Sequence, residues 1–288
     1  MTHDRTGNLH ATHSFGESQI RSVRRQTMLL YPEDCCMRPT LVILTVPRAG
    51  SSWLASLCRS TGVLGQPREW LNCVVRPASR HRIPLPPRGP DGSGAFRAAL
   101  EQVAGTPNGV VGVKITTSPW DEFPASLHAW GIGDGQSDAW VGALLPRAAV
   151  VVLRRRDRVG QAISWWRAKQ TGRFARFVDE AELNAMPPYD FAQLRAALAD
   201  IARLDMILER ASASLRTHAA AVTMELTYED AILDPAGAVR RIADLAEVSL
   251  DACPALSTDL VVQRDEATDA IRTRFEADLA SDLAEAAR

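Results

Sequence analysis

One stretch constrains the fold more than any other: Leu41-Val-Ile-Leu-Thr-Val-Pro-Arg-Ala-Gly-Ser-Ser-Trp-Leu54. Leu41 to Val46 form an apolar, β-branched run of the kind needed by a parallel strand buried on both faces. Pro47 ends that run, because proline has no N–H for a ladder and fixes its own φ. Gly50 permits a tight turn, and Ser51 or Ser52 is expected to cap a helix whose apolar side reads Trp53, Leu54 and Leu57. A strand, a small-residue loop and a helix N-terminus bring free N–H groups and the helix dipole to one point, which makes an anion cradle. The pattern is not the Walker loop G-x-x-x-x-G-K-[ST]. Arg48 precedes Gly50, where a Walker loop carries Lys after its last Gly, so a standard ATP or GTP site is disfavoured. An ordinary strand–turn–helix junction shares the pattern, and this stretch alone does not separate the two readings.

The chain has 288 residues, enough for one large domain or two small ones, and its 46% apolar content suits a substantial core. A formal charge of −1 provides no global basic field, so nucleic acid is not the expected partner. Basic residues cluster locally instead, at Arg154-Arg-Arg-Asp-Arg158 and from Arg76 to Arg88. No apolar run approaches the ~20 residues that span a bilayer. Residues 1–25 are polar and lack the apolar centre of a signal peptide, so a cytoplasmic protein is expected. The cysteines number five, an odd count with no C-x-x-C pair, which indicates neither a disulfide framework nor a zinc site.

Along the chain, residues 1–38 show little periodicity and are expected to be a flexible or loosely docked extension. Thr61-Gly62 stops the first helix. Residues 76–94, rich in Arg, Pro and Gly, are expected as a long surface loop suited to acceptor recognition or simply inserted. Val110–Thr116 and Ala148–Leu153 are further buried strands, and Val222–Leu226 is a fourth candidate. Arg158–Thr171 reads as a helix closed by Gly172, Asp190–Thr217 as a long amphipathic helix, and Asp234-Pro235 as a helix start with Pro at its first position. Residues from Asp265 onward are charged and helical. Strands alternating with helices imply an α/β fold in three layers, with a mainly parallel central sheet. Ligands of such sheets bind beyond the carboxyl ends of the strands, and Pro47–Ser52, Thr116–Trp120 and Arg154–Ser164 all lie at such ends.

Pro47-Arg-Ala-Gly-Ser-Ser-Trp-Leu54 resembles the 5′-phosphosulfate loop of sulfotransferases, and Arg156 followed eight residues later by Ser164 resembles their 3′-phosphate site. More narrowly, the chain is similar to the bacterial trehalose 2-sulfotransferase family. The matching features are Thr61-Gly-Val-x-Gly-x-Pro-x-Glu-Trp70, Gly112-Val-Lys114, Arg154-Arg-Arg-Asp-Arg-Val-x-Gln-Ala-Ile-Ser164, and Gln263-Arg264 with Phe275. The resemblance covers about residues 40–280, which would make 39–288 one sulfotransferase domain with P-loop-like architecture. Pro47 stands where the family has a polar residue, and Leu71 where it often has a second aromatic; with the Arg/Pro segment at 76–94, these departures leave the acceptor open.

The resemblance implies 3′-phosphoadenosine 5′-phosphosulfate (PAPS) as donor and a hydroxyl of a carbohydrate, glycolipid or small metabolite as acceptor. Arg48 and the backbone of Ala49, Gly50, Ser51, Ser52 and Trp53 would serve the 5′ side. Arg156 with Ser164 would serve the 3′-phosphate, Arg154 or Arg155 replacing Arg156 if strand register demands it. Glu69 stands where the family places its catalytic base, and burial beside Trp70 and Leu71 would make it a stronger base. Without the family, a surface pair of Glu69 with Arg68 is the better reading. Lys114 would help stabilise the leaving group or merely cap its strand, and Arg264 would return to the donor. Pro47, Gly65, Gln66, Pro67, Arg68, Glu69, Trp70, Leu71 and Trp120 are the acceptor-side candidates, although Trp120 suits a core as well. No metal is implied where arginines carry the charge. A homodimer is permitted by exposed aromatics. Two other readings remain at this point: a kinase-like phosphotransferase and a non-catalytic nucleotide-binding module.

Overall fold

A computed structural model describes residues 39–174, 186–250, 255–260 and 266–286. The extension expected over residues 1–38 therefore lies outside the described residues, as does Arg264. Four strands form one parallel sheet in the order β2-β1-β3-β4: β1 Thr40–Thr45, β2 Val111–Thr116, β3 Ala149–Arg154 and β4 Val222–Thr227. All four coincide with the apolar runs of the sequence to within a residue or two. β1 sits in the middle with every residue buried, which is why its run is apolar throughout rather than alternating.

Side chains of successive strand residues leave on opposite faces, so each run feeds two cores. Val42, Leu44, Val150 and Val152 face one core with α3 (Ser93–Ala104), α5 (Trp140–Leu144), α6 (Arg158–Thr171), α7 (Phe191–Ala219) and α10 (Glu266–Ala286). Leu41, Ile43, Val151 and Leu153 face the other core with α1 (Ser51–Ser60) and α9 (Pro235–Leu245). Helices on both faces of the sheet make the three layers. Each fully buried Leu, Ile or Val in these cores contributes roughly 1.5–3 kcal/mol.

Helix limits follow local chemistry. Asp157, Asp190 and Asp234 cap α6, α7 and α9 by accepting from Gly160, Gln193 and Gly237 N–H groups. Gly172, left-handed at φ 68°, closes α6. Two expectations change. The segment 76–94 is not loop throughout: Ser93 already begins α3, and Ile83 at 4% exposure pins the preceding stretch into the core. The sequence reading also placed no helix at α2 (Asn72–Val75), α3, α4 (Phe123–His128) or α5; three of these are four to six residues long, too short for periodicity to register. Among the described residues, no helix is long and apolar enough to cross a membrane.

Register gathers the strand ends. Thr45 lies opposite both Thr116 and Leu153, and Arg154 lies opposite Thr227. The Thr45 hydroxyl donates to the Leu153 carbonyl at 2.9 Å and ties β1 to β3 at this edge. The loops after all four strands therefore open on one side of the sheet.

Candidate active site

The loop after β1 is built around left-handed backbone. Arg48 has φ 66° and Gly50 φ 81°. A β-carbon on Gly50 would sit 2.1 Å from the Tyr228 ring, so this position requires glycine for both conformation and space. Gly50 is the N-cap of α1 and carries no side-chain cap, contrary to the expectation that Ser51 or Ser52 caps the helix. The first N–H groups of α1 consequently keep their free donors at the cleft. Ser52 uses its hydroxyl differently: it accepts from Lys114 Nζ at 2.9 Å. Beneath the loop, the buried Pro47 carbonyl accepts from Gln161 Nε2 at 2.8 Å, and Ala49 is fully buried. Pro47 thus anchors the loop and is not presented to a ligand.

A cleft of about 740 Å³ opens in front of this loop. Its walls are Arg48, Gly50 to Trp53, Arg155, Asp157, Ser164, Arg167, Tyr228, Glu229 and, from α10, Thr268, Asp269 and Arg272. Arg48 donates through Nε to Ser164 Oγ at 2.8 Å and through a terminal nitrogen to the Phe174 carbonyl. Burial, and then the charges of Arg155 and Arg167, lower the Arg48 pKa to about 10, so it remains cationic at neutral pH.

Of the three consecutive arginines, strand alternation decides which reaches the cleft. Arg154, on the face of Val152, pairs with Glu209 and Glu225. Arg155, on the opposite side, donates to the Arg48 carbonyl and to Asp157 Oδ2, each at 3.2 Å, and lies over the Tyr228 ring at 5.5 Å. Arg156 points outward, 57% exposed, and makes a two-pronged pair with Asp230 at 2.9 and 3.2 Å. Of the arginines expected to accompany Ser164, the structure places Arg155 on the cleft wall with Ser164 and turns Arg156 outward against Asp230.

Asp157 accepts from Gly160 N–H, Arg155 and Arg272, the last at 2.6 Å. Burial opposes its charge, but these donors outweigh burial and hold the carboxyl below its ordinary range. Glu229 binds the backbone N–H groups of Arg156 and Asp157 at 3.0–3.1 Å and fixes the turn after β3. Its pKa is lowered by those N–H groups against an opposing burial effect. The Nε–H groups of Arg155 and Arg272 are buried and find no acceptor among the described residues. Trp53 meets Tyr228 edge to face at 6.0 Å, an aromatic pair at the cleft's rim.

Glu69 reaches the same edge from the other side of β1. Gly65, at φ 72°, and Gly112 allow the 65–68 segment to press on β2; a β-carbon on Gly65 would lie 2.2 Å from the Gly112 nitrogen. Arg68 bridges to Val113, and its carbonyl accepts from Lys114 N–H at 2.9 Å. Glu69 Oε1 then pairs with Lys114 Nζ at 3.1 Å, while Oε2 accepts from Asn72 Nδ2 at 3.0 Å. Lys114 is buried, so it does not merely cap its strand in solvent. A continuous line runs Glu69–Lys114–Ser52 into the cleft wall. Arg68 meets His81, not Glu69, so the expected surface pair does not form.

The remaining acceptor-side candidates divide by burial. Trp70 is half-buried, with its indole N–H on the Gln66 carbonyl at 2.7 Å and its ring against His81. Gly65, Pro67 and Leu71 are buried scaffold, with Leu71 at 1% exposure in the core. Trp120 belongs wholly to the core: it is fully buried, tilts against Trp140 at 5.1 Å and donates to Asp138. Its place after a strand end suggested the site, but the 3-10 turn Trp120–Glu122 carries the ring inward. Tyr228, Glu229, Asp157, Arg167 and Arg272 were missed as site residues. Tyr228 and Glu229 follow directly on β4, so the strand-end rule reaches them; Arg272 lies on the C-terminal helix, and nothing in its neighbourhood points to the cleft. Among the described residues, no group of three or more His, Cys, Asp or Glu side chains is placed to hold a metal ion.

Fold and cleft together define an α/β protein with an arginine-lined cleft at the carboxyl edge of a parallel sheet, flanked by a carboxylate–lysine pair. The profile of the Stf0 sulphotransferase family matches residues 40–278, and the chain belongs to that family. A curated relative from Mycobacterium tuberculosis (strain ATCC 35801 / TMC 107 / Erdman), named trehalose 2-sulfotransferase, is 33% identical over 157 residues, 47% of this chain and 58% of that protein. A relative of the same name from Mycolicibacterium smegmatis is 29% identical over 154 residues, 45% of this chain and 57% of that protein. The chain thus spans a little over half the length of the curated relatives it matches. Among solved structures, the sulfotransferase domain from the curacin biosynthetic pathway matches with a TM-score of 0.43 at 16% identity, over 75% of this chain and 76% of that one.

Proposed function

We propose that the chain transfers a sulfuryl group from PAPS to a hydroxyl of a carbohydrate acceptor, with Glu69 as the general base. The observation that carries this reading is the Glu69–Lys114–Ser52 line running from a base candidate to the wall of an arginine-lined cleft. The carbohydrate class is supported by the two relatives named trehalose 2-sulfotransferase.

The residues fit a two-phosphate donor. Arg48, Ser52 and the free N–H groups of α1 suit the 5′ side. Arg155, with Ser164, suits the 3′-phosphate in place of Arg156, because both line the cleft and a guanidinium fork matches phosphate geometry. Trp53 and Tyr228 offer flat apolar surface for a base. When bound, the donor supplies a sulfuryl group whose bridging oxygen departs with negative charge. Glu69 takes the proton from the acceptor hydroxyl, so that oxygen can form the new bond to sulfur while the sulfur–bridging-oxygen bond breaks. Lys114 and Arg48 carry cationic charge beside the oxygen that leaves, which lowers the barrier electrostatically. Asn72 and Lys114 hold one Glu69 oxygen each, which fixes the base's direction.

Incubation with labelled PAPS and a panel of sugars, read by product mass, tests the reading. Release of adenosine 3′,5′-bisphosphate together with a sulfated sugar is expected. Binding of ATP without binding of PAPS would instead favour a phosphotransferase, and donor binding without any turnover would favour a non-catalytic module.

A further inference from the structure

The acceptor side of the site carries more positive than negative charge. Lys114 is neutralised by Glu69, and Arg59 feels Asp259, but no carboxylate lies within ion-pair distance of Arg68 among the described residues. Its terminal nitrogen reaches only His81 Nε2, at 3.5 Å. Arg68 is half-buried, on the residue before Glu69, and is held there by the backbone bridge to Val113. Leaving a half-buried guanidinium without a counter-charge is costly, and the donor-side arginines Arg155 and Arg272 do not do so, since both share Asp157.

The adjoining segment strengthens this field. From Asn72 to Pro90 the sequence has Arg76, Arg80, Arg82 and Arg88 and no Asp or Glu. Arg76 is matched by Glu122 and Arg88 lies over Trp130 at 5.0 Å, while Arg80 and Arg82 are exposed beside His81. His81 itself reports the local sign: burial, then Arg68, with Lys114 and Arg59 adding, lower its pKa to about 4 despite Glu69.

We propose that the acceptor is a hydroxyl compound bearing an anionic group, a carboxylate or a phosphate, which seats on the guanidinium of Arg68. The inference rests on the sulfotransferase reading through Glu69, the neighbour that would receive the hydroxyl proton. The anionic group takes no part in bond exchange; it positions the hydroxyl, and the Arg68 cation offsets its repulsion from the negatively charged donor. A planar fork with two parallel N–H groups suits both carboxylate and phosphate, so sugar acids and sugar phosphates are the two sources of this chemistry.

The test is a calorimetric titration of the protein, first with adenosine 3′,5′-bisphosphate and then, loaded, with glucose, glucuronate and glucose 6-phosphate. These three share a ring and differ in the charged group. Glucuronate, glucose 6-phosphate or both should bind roughly ten- to hundredfold tighter than glucose, the range one charge-assisted contact supplies, and raised salt should shrink the ratio. Which of the two binds tighter separates the carboxylate source from the phosphate source. Arg68→Gln should collapse the ratio while adenosine 3′,5′-bisphosphate still binds, which also reports that the variant is folded. Glucose binding as tightly as both charged sugars would overturn the inference and leave the sulfotransferase reading intact. Failure of the first titration strikes that reading instead, and the sugar titrations on the unloaded protein then still decide whether Arg68 selects anions.

Discussion

The arginine-lined cleft and the Glu69 side, proposed as donor and acceptor sites, differ in how their charges are held. In the cleft, Arg155 and Arg272 converge on one carboxylate, Asp157, and Glu229 clamps the turn that presents them. The elements behind them are three adjacent strand ends in register. On the acceptor side, a single edge contact of 65–68 with β2 positions Glu69 and Arg68, and the facing segment has no acid over its first nineteen residues from Asn72. The cleft is therefore preorganised for a ligand of fixed shape. The Glu69 side holds a carboxylate fixed by Lys114 and Asn72 beside an uncompensated cation, where, on the proposed function, a change of acceptor would need only surface substitutions and leave the sheet untouched.

The largest expected break in that contrast is at Glu69. Glu69→Gln keeps the volume and the Asn72 contact but removes the proton acceptor, so turnover should fall roughly 10²- to 10⁴-fold while donor affinity stays within a few-fold. Initial rates with PAPS, set against calorimetric donor binding, check this. A variant with near-wild-type turnover would remove Glu69 from the mechanism and reduce the acceptor side to a binding surface.

Arg155 and Arg156 provide the next test, since neighbours in sequence sit in opposite settings. Arg155→Ala should weaken binding of adenosine 3′,5′-bisphosphate roughly ten- to hundredfold, as loss of a charge-assisted contact does. Arg156→Ala removes only an exposed pair with Asp230 and should change donor affinity by less than about threefold. Equal losses in the two variants would mean that the cleft's register differs from the one described.

What could be read from the chain divides along the same line. The four strands were legible because parallel strands buried on both faces must be apolar at every position, and α6 was legible to the residue because Gly172 stops it after Arg158 starts it. The strand–turn–helix loop after β1 was legible too, although its helix is capped by Gly50 and Ser52 turns to Lys114. Which arginine faces inward was not, because one residue of register exchanges faces and no sequence signal fixes where β3 ends. Trp120 failed for a similar reason: a turn of three residues swings its ring from the strand end into the core. Tyr228 and Arg272 arrive from distant sequence, brought in by the sheet order and by Phe275, which is fully buried and seats α10 in the core. The uncompensated state of Arg68 is a tertiary fact as well, since the sequence offers it Glu69 next door, and Lys114 takes that carboxylate first.

His81 gives the smallest and most local test, and its sign can be worked out. The imidazole is pushed from its ordinary 6.5 down to about 4 by burial and by Arg68, Lys114 and Arg59, with Glu69 acting against them. Between those two values the unfolded chain binds a proton that the folded chain refuses, so stability should fall as pH drops from about 6.5 to about 4 and should level off below. Asp157 and Glu229 act lower: their carboxyls are held below the ordinary 3.8 and 4.5, so their contribution is present above those values and is lost as pH falls through the depressed ones. Urea unfolding across pH 4 to 7 should therefore show a slope in the wild type that His81→Gln flattens. Arg68→Gln, by removing the charge whose effect is second only to burial, should shift that slope to higher pH. A slope unchanged by Arg68→Gln would mean that Arg68 adds little to the field at His81, and the positive field proposed to govern acceptor choice would then be weaker than the geometry implies.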